Sequence, residues 1–236
     1  MKSCSDPNQN YDEIMIARYK DSIHYDEHTS YSLSIKHDTE LTSFGFINQL
    51  NLKTLDIIGC KNVDLSQACE VRTLKLEGCS LSSVEGIQKF QAVENIHLTD
   101  NFISDLEPLR PLTDLRSLNM KNNKASNIYP LQDLTSIIFL HLENNGISDI
   151  SPLRFMRKLV IVWLMSNKIS DLEPLKDLDL LERVVLTNNL ISNLEPLRDL
   201  NFIFLNVERN FITDFSPIQT HRNFQRFLIR NQKEKK

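Results

Sequence analysis

NKISDLEPL at residues 167–175 has five near-copies in the same chain: NFISDLEPL from Asn101, NKASNIYPL from Asn123, NGISDISPL from Asn145, NLISNLEPL from Asn189 and NFITDFSPI from Asn210. The copies start 22 residues apart, with one step of 21. Pro108, Pro130, Pro152, Pro174, Pro196 and Pro217 each follow their asparagine by seven positions. A fixed period of this length predicts a solenoid, whose units must stack to bury their apolar faces.

The residues on either side of Asn167 complete the unit. Its apolar positions are Leu159, Val162, Leu164, Ile169, Leu172, Leu175 and Leu178, which is the leucine-rich repeat pattern L-x-x-L-x-L-x-x-N-x-L. Val162 and Leu164 alternate with Trp163 and Met165, as a strand with one buried face requires. After the asparagine the apolar residues fall every third position, and a proline recurs once per unit. Extended or 3₁₀-like turns suit that spacing better than a long helix. The asparagine serves the structure. Where the chain leaves the strand, a buried amide both donates to and accepts from backbone groups that lack ladder partners.

Composition limits the function. The chain has 236 residues, 41% hydrophobic and 25% charged, an ordinary composition for a folded core. A net charge of −4 gives no general reason to expect nucleic acid or anionic membrane as partner. The opening MKSCSDPNQN has no apolar signal region, and the longest apolar run, Leu159 to Met165, is too short to span a bilayer; a cytoplasmic location is the default expectation. Cys4, Cys60, Cys69 and Cys79 show no C-x-x-C pair or zinc spacing. Cys60 and Cys79 occupy the asparagine position of early units and read as reduced ladder residues. His97 and His141 share a column two strands apart, too far for one metal ion without other ligands. With no phosphate-cradling glycine loop, no HExxH and no nucleophile with a partnered base, the expectation is a protein that is not an enzyme and uses no cofactor and no metal.

Four segments are expected. Residues 1–30 form a tail and capping helix: Tyr11, Ile14, Met15 and Tyr19 recur at helical spacing, Asn10 with Glu13 makes a capping box, and the helix over Tyr11 to Asp21 leads into a loop from Tyr25 to Ser30. Residues 31–70 hold two degenerate units, built on Leu33, Ile35, Leu41, Phe44, Ile47 and Leu50 with Asp38 in the ladder place, then on Leu55, Ile57, Cys60, Val63 and Leu65. Residues 71–223 carry regular repeats. Residues 224–236 supply a half unit, Phe224, Phe227 and Ile229, that reaches the strand and stops, and a basic tail, read as a charged terminal strand that discourages edge-to-edge pairing in preference to a site for an acidic partner.

Leu33 to Ile229 resembles the 22-residue class of leucine-rich repeats found in internalins and in a regulatory subunit of protein phosphatase 1, where N-x-I-S-D-L-x-P-L phrases also recur. YDEIMIARYKDSI with LTSFGFINQL is similar to the lead-in of leucine-rich repeat families of flagellate protists. The resemblance implies an α/β solenoid, a right-handed superhelix with parallel strands on the concave face and 3₁₀ or extended turns on the convex face, generally used to hold another protein.

On such strands, every side chain between buried ones faces the concave wall. The residue between the central apolar pair runs Ser34, Asp56, Lys75, His97, Asn119, His141, Trp163, Val185, Asn206, Leu228; the residue before that pair runs Ser32, Thr54, Thr73, Asn95, Ser117, Phe139, Ile161, Arg183, Phe204, Arg226. The early half is polar and the later half is not. Phe139, His141, Ile161, Trp163, Met165, Arg183, Val185 and Phe204 are therefore the expected partner-binding residues, with Glu143, Glu208, Arg209 and Lys121 as a polar rim, because contiguous exposed apolar surface marks an interaction site. A plainer reading is that some rings lie flat on their neighbours and contribute cross-strand packing alone. The function expected is a protein–protein interaction module. The alternatives are a regulatory subunit of an enzyme such as a protein phosphatase, or a structural protein that associates with itself through the patch or its C-terminal edge.

Overall fold

In a computed structural model, described for residues 17–26, 30–38, 47, 50, 52–61, 63–67, 70–223 and 226–234, each repeat of the sequence is one coil. The strands are β1 (Ile23–Asp26), β2 (Ser30–Lys36), β3 (Leu52–Ile58), β4 (Thr73–Glu77), β5 (Asn95–His97), β6 (Ser117–Asn119), β7 (Phe139–His141), β8 (Ile161–Trp163), β9 (Arg183–Val185) and β10 (Phe204–Asn206). They form one sheet in sequence order. From β2 onward all neighbours are parallel, and equivalent residues of successive coils face each other: Leu118 pairs with Leu140, Leu140 with Val162 and Val162 with Val184. These central residues point inward and are buried to exclusion of water.

The return path is built on proline. The 3₁₀ turns Glu107–Leu109, Tyr129–Asp133, Ser151–Phe155, Glu173–Leu175 and Glu195–Leu197 each carry Pro in the first two positions, where a missing N–H costs nothing. The Asp or Asn that recurs before them starts the turn. Asp105, Asn127, Asp149, Asp171 and Asn193, and Asp214 before the short helix Ser216–Gln219, each accept the N–H two residues on, at 2.8–2.9 Å. Leucines at the third positions then face inward and join a core continuous from Leu33 to Phe227.

Between strand and turn stand two columns of polar residues. In the inner one, Asn101 Oδ1 accepts the N–H groups of Cys79 and Leu81 at 3.1 and 3.0 Å, while its Nδ2 donates to the carbonyls of Leu76 and Leu98 at 2.7 and 2.9 Å. Asn123, Asn145, Asn167, Asn189 and Asn210 repeat this toward the coil before them. At the earlier ladder places the buried thiols of Cys79 and Cys60 are free and face carbonyl oxygens. The residue before each ladder position has positive φ: His37, Gly59, Gly78, Asp100, Asn122, Asn144, Ser166, Asn188, Arg209 and Asn231. A left-handed residue turns the chain out of the strand, which favours Gly, Asn and Asp there. At Gly59 a Cβ would also strike the His37 ring.

The ends differ from the sequence-based expectation. Residues 17–19 are helical and continue into a 3₁₀ turn, Lys20–Ser22; the rest of the expected helix, 11–16, lies outside the described residues, as do Leu41 and Phe44 of the first unit. Part of the expected loop from Tyr25 is instead strand β1, antiparallel to β2. Among the described residues no coil precedes β2, and the antiparallel strand β1 satisfies the N–H and C=O groups of its outer edge. Asp38, in the first ladder place, also lacks a preceding coil to donate to. As an acceptor it takes the Tyr19 hydroxyl in a hydrogen bond and pairs with Arg18 at 3.0 Å, tying the helical residues down.

At the other end the last half unit does not stop at its strand. Leu228 bridges Asn206, and Gln232 stands 22 residues after Asn210. Its Oε1 accepts the N–H groups of Asn210 and Ile212 at 3.2 and 3.3 Å, and its Nε2 donates to Val207 and Ile229 carbonyls at 3.1 and 2.8 Å. A glutamine thus extends the asparagine column by one place. Lys233 is drawn in as well: its Nζ reaches the Asn189 carbonyl at 3.1 Å and stands over the Phe211 ring.

Candidate functional site

The strand pairings decide which outward residues meet. Phe139 faces Ile161, Ile161 faces Arg183 and Arg183 faces Phe204; in the next row His141 faces Trp163, Trp163 faces Val185 and Val185 faces Asn206. Neighbouring strands stand about 4.8 Å apart, so the two rows form one surface. Phe139 and Trp163 are 41% and 38% exposed, Arg183 is exposed, and His141, Ile161, Met165, Val185 and Phe204 are half-buried. All eight residues singled out from the sequence lie on the concave wall.

Within this surface the rings of His141 and Trp163 stack, their centroids 4.2 Å apart and their planes within 8°. The plainer reading is therefore realised for this pair, yet Trp163 remains exposed to solvent. Burial, aided by the nearby His97, holds the His141 pKa below the usual histidine range. His97 is also lowered, by burial first and then by Lys75.

Glu143 follows on the same side, between Lys121 and Met165, since the Asn122 N–H donates to the Glu143 carbonyl and the Asn144 N–H to that of Met165. Only 3% exposed, its Oε2 has no hydrogen-bond partner among the described residues. Burial raises its pKa above the usual carboxylate range, against its own backbone N–H and Lys121, which lower it. The expected rim residue is therefore a buried carboxylate in the wall; the sequence places it in the right column but does not show its depth.

The early half of the wall is polar and holds one ion pair among the described residues. Lys75 pairs with Asp56 at 3.3 Å, and His97 Nδ1 lies 3.9 Å from Glu77. Among the described residues no three His, Cys, Asp or Glu side chains come together in a way that could hold a metal ion, and no helix is long and apolar enough to cross a membrane.

A parallel strand, a left-handed residue, a ladder amide and a proline-led 3₁₀ turn, repeated coil after coil, define a leucine-rich repeat solenoid. Residues 135–177 match the family model for leucine-rich repeats, two copies. Among solved structures the chain is similar to internalin C2 of Listeria monocytogenes, with 27% identity and a TM-score of 0.64 over 86% of this chain and 80% of that one. It also shares the fold of an internalin, internalin F, from the same organism, at 22% identity and a TM-score of 0.62 over 94% of this chain and 82% of the other. No curated protein sequence matches the chain. The protein is a leucine-rich repeat protein similar to the internalins.

Proposed function

We propose that the chain is a non-enzymatic protein–protein interaction module, which holds a partner protein on strands β7 to β10 of its concave face. One observation carries this reading: the single tryptophan stands exposed among Phe139, Ile161, Met165, Val185 and Phe204 on a wall whose other half is polar. Folding alone supplies no reason to leave such a cluster in water, and Trp, Phe and Met are favoured at the centres of interfaces. Free buried thiols at Cys60 and Cys79 accord with a cytoplasmic setting.

The test is affinity capture from the cells that make the protein, with wild type beside Trp163→Ala combined with Phe204→Ala. We expect a partner bound by wild type to be lost from the double variant while the thermal unfolding midpoint hardly moves. Equal recovery of every bound protein by the two chains would place the site elsewhere.

A further inference from the structure

The sign of charge around the patch carries the reading further. Along the outer arc and the strand margins most arginines are matched by acids, Arg72 with Glu94 at 2.5 Å, Arg110 with Glu107 at 3.0 Å, Arg157 with Asp177 at 3.5 Å and Arg198 with Glu195 at 2.7 Å, Arg154 and Arg222 being the exceptions among the described residues. On the strand side of the last coils they are not. Arg183, Arg209, Arg226 and Arg230 are exposed, and among the described residues none of their guanidinium groups has a carboxylate within 4.0 Å or a hydrogen bond.

Their placement is ordered. Arg183 stands in register between Ile161 and Phe204. One cation thus stands between two apolar side chains across the strands. Arg226 comes two residues before Leu228, which bridges Asn206, and sits in the turn that leads into that bridge, its N–H donating to the Asn223 carbonyl. Arg209, whose N–H donates to the Asn231 carbonyl, and Arg230 flank the far side. Among the described residues the acids near these arginines in the chain are Glu182, Glu208 and Glu234, with Glu143 buried in the wall, and Glu208 already accepts Asn231 Nδ2 at 3.3 Å. A guanidinium fork is the side chain best suited to bidentate pairing with a carboxylate.

We infer that the partner is an acidic protein segment, which lays aromatic or aliphatic side chains on Trp163, Phe139 and Phe204 and sets aspartates or glutamates against Arg183 and Arg226. This rests on the concave face being the docking surface. A second copy of the chain fits less well, because an isologous contact brings the same cationic surplus to both sides. A nucleic acid fits less well too: Ile161, Val185 and Met165 offer no stacking plane, and the wall has no continuous basic stripe to follow a phosphate backbone.

A random-peptide phage library, selected on the intact chain, tests it. The expected binders combine Asp or Glu with Phe, Tyr, Trp or Leu, weaken with salt, and lose at least about tenfold in affinity on Arg183→Glu with Arg226→Glu. Arg183→Lys with Arg226→Lys retains part of the binding, and circular dichroism confirms that each variant folds. Apolar binders with no excess of acid, indifferent to charge reversal but lost in Trp163→Ala with Phe204→Ala, would overturn the acidic partner and leave the docking surface standing. Binders indifferent to both pairs of substitutions would overturn both. Random-sequence single-stranded RNA held through the same arginines, with no acidic peptide selected, would also overturn the inference.

Discussion

The imidazole of His141 and the indole of Trp163 lie face to face, 4.2 Å between centroids and 8° from parallel. One is the chain's single tryptophan and the other a histidine that resists protonation because it is half-buried and near His97. The pair gives the concave wall a built-in optical probe.

Protonated imidazole quenches indole fluorescence. Emission is therefore expected to stay constant through neutrality and fall only at a pH below the usual histidine range of about 6.5. His141→Gln should abolish the step. The linked stability follows in sign: with the folded pKa lowered, the unfolded chain binds the proton first, so stability is complete above about 6.5 and declines as the pH falls through that range. A quenching midpoint at or above the ordinary value would show that the stack is solvated.

Glu143 runs the other way. Its folded pKa is raised, so the native chain takes up the proton before the unfolded one does, and this carboxyl costs stability at neutral pH that is regained as the pH falls toward its unfolded value of about 4.3. Glu143→Gln should raise the unfolding midpoint at pH 7 and leave it nearly unchanged in acid. Comparing urea melts of the two chains across that pH range isolates the contribution of this one carboxyl.

Asn189 is wholly buried. It links Ile169 N–H, the Leu164 carbonyl and the Leu186 carbonyl at 3.0, 3.0 and 2.9 Å. Asn189→Ala leaves these groups without partners and is expected to cost about 1–3 kcal/mol in equilibrium denaturation. Asn189→Asp keeps the acceptor but turns a charge toward two carbonyls, so its loss of stability should be larger at neutral pH than in acid.

Ser166 occupies a left-handed conformation, φ 58°, which serine tolerates less well than asparagine. Asn144 and Asn188 hold the equivalent places on either side, and Asn188 Nδ2 already donates to the Ser166 hydroxyl at 3.2 Å. Ser166→Asn should recover part of the roughly 1–2 kcal/mol that a left-handed conformation costs an ordinary residue, raising the midpoint in thermal or chemical melts without touching the concave rows.

The coil itself was legible in one dimension. A 22-residue phrase places Leu inward, Asn at the bend and Pro in the turn, because each residue type meets the same backbone need once per coil, and strand alternation then sends Phe139, Trp163 and Phe204 to one wall. The ends were less legible. Gln232 is the next member of the Asn210 column at the same interval, yet with a longer side chain and no repeat following it the signal is faint; β1 carries no repeat at all and exists because β2 has an open edge. Tertiary structure alone decided that Glu143 is sealed into the wall, that His141 covers one face of the indole, and that, among the described residues, Arg183 and Arg226 have no acidic partner while Arg198 has one. Periodicity reports the environment a position must have in every coil, whereas pairing and depth depend on the side chains of the coils before and after it.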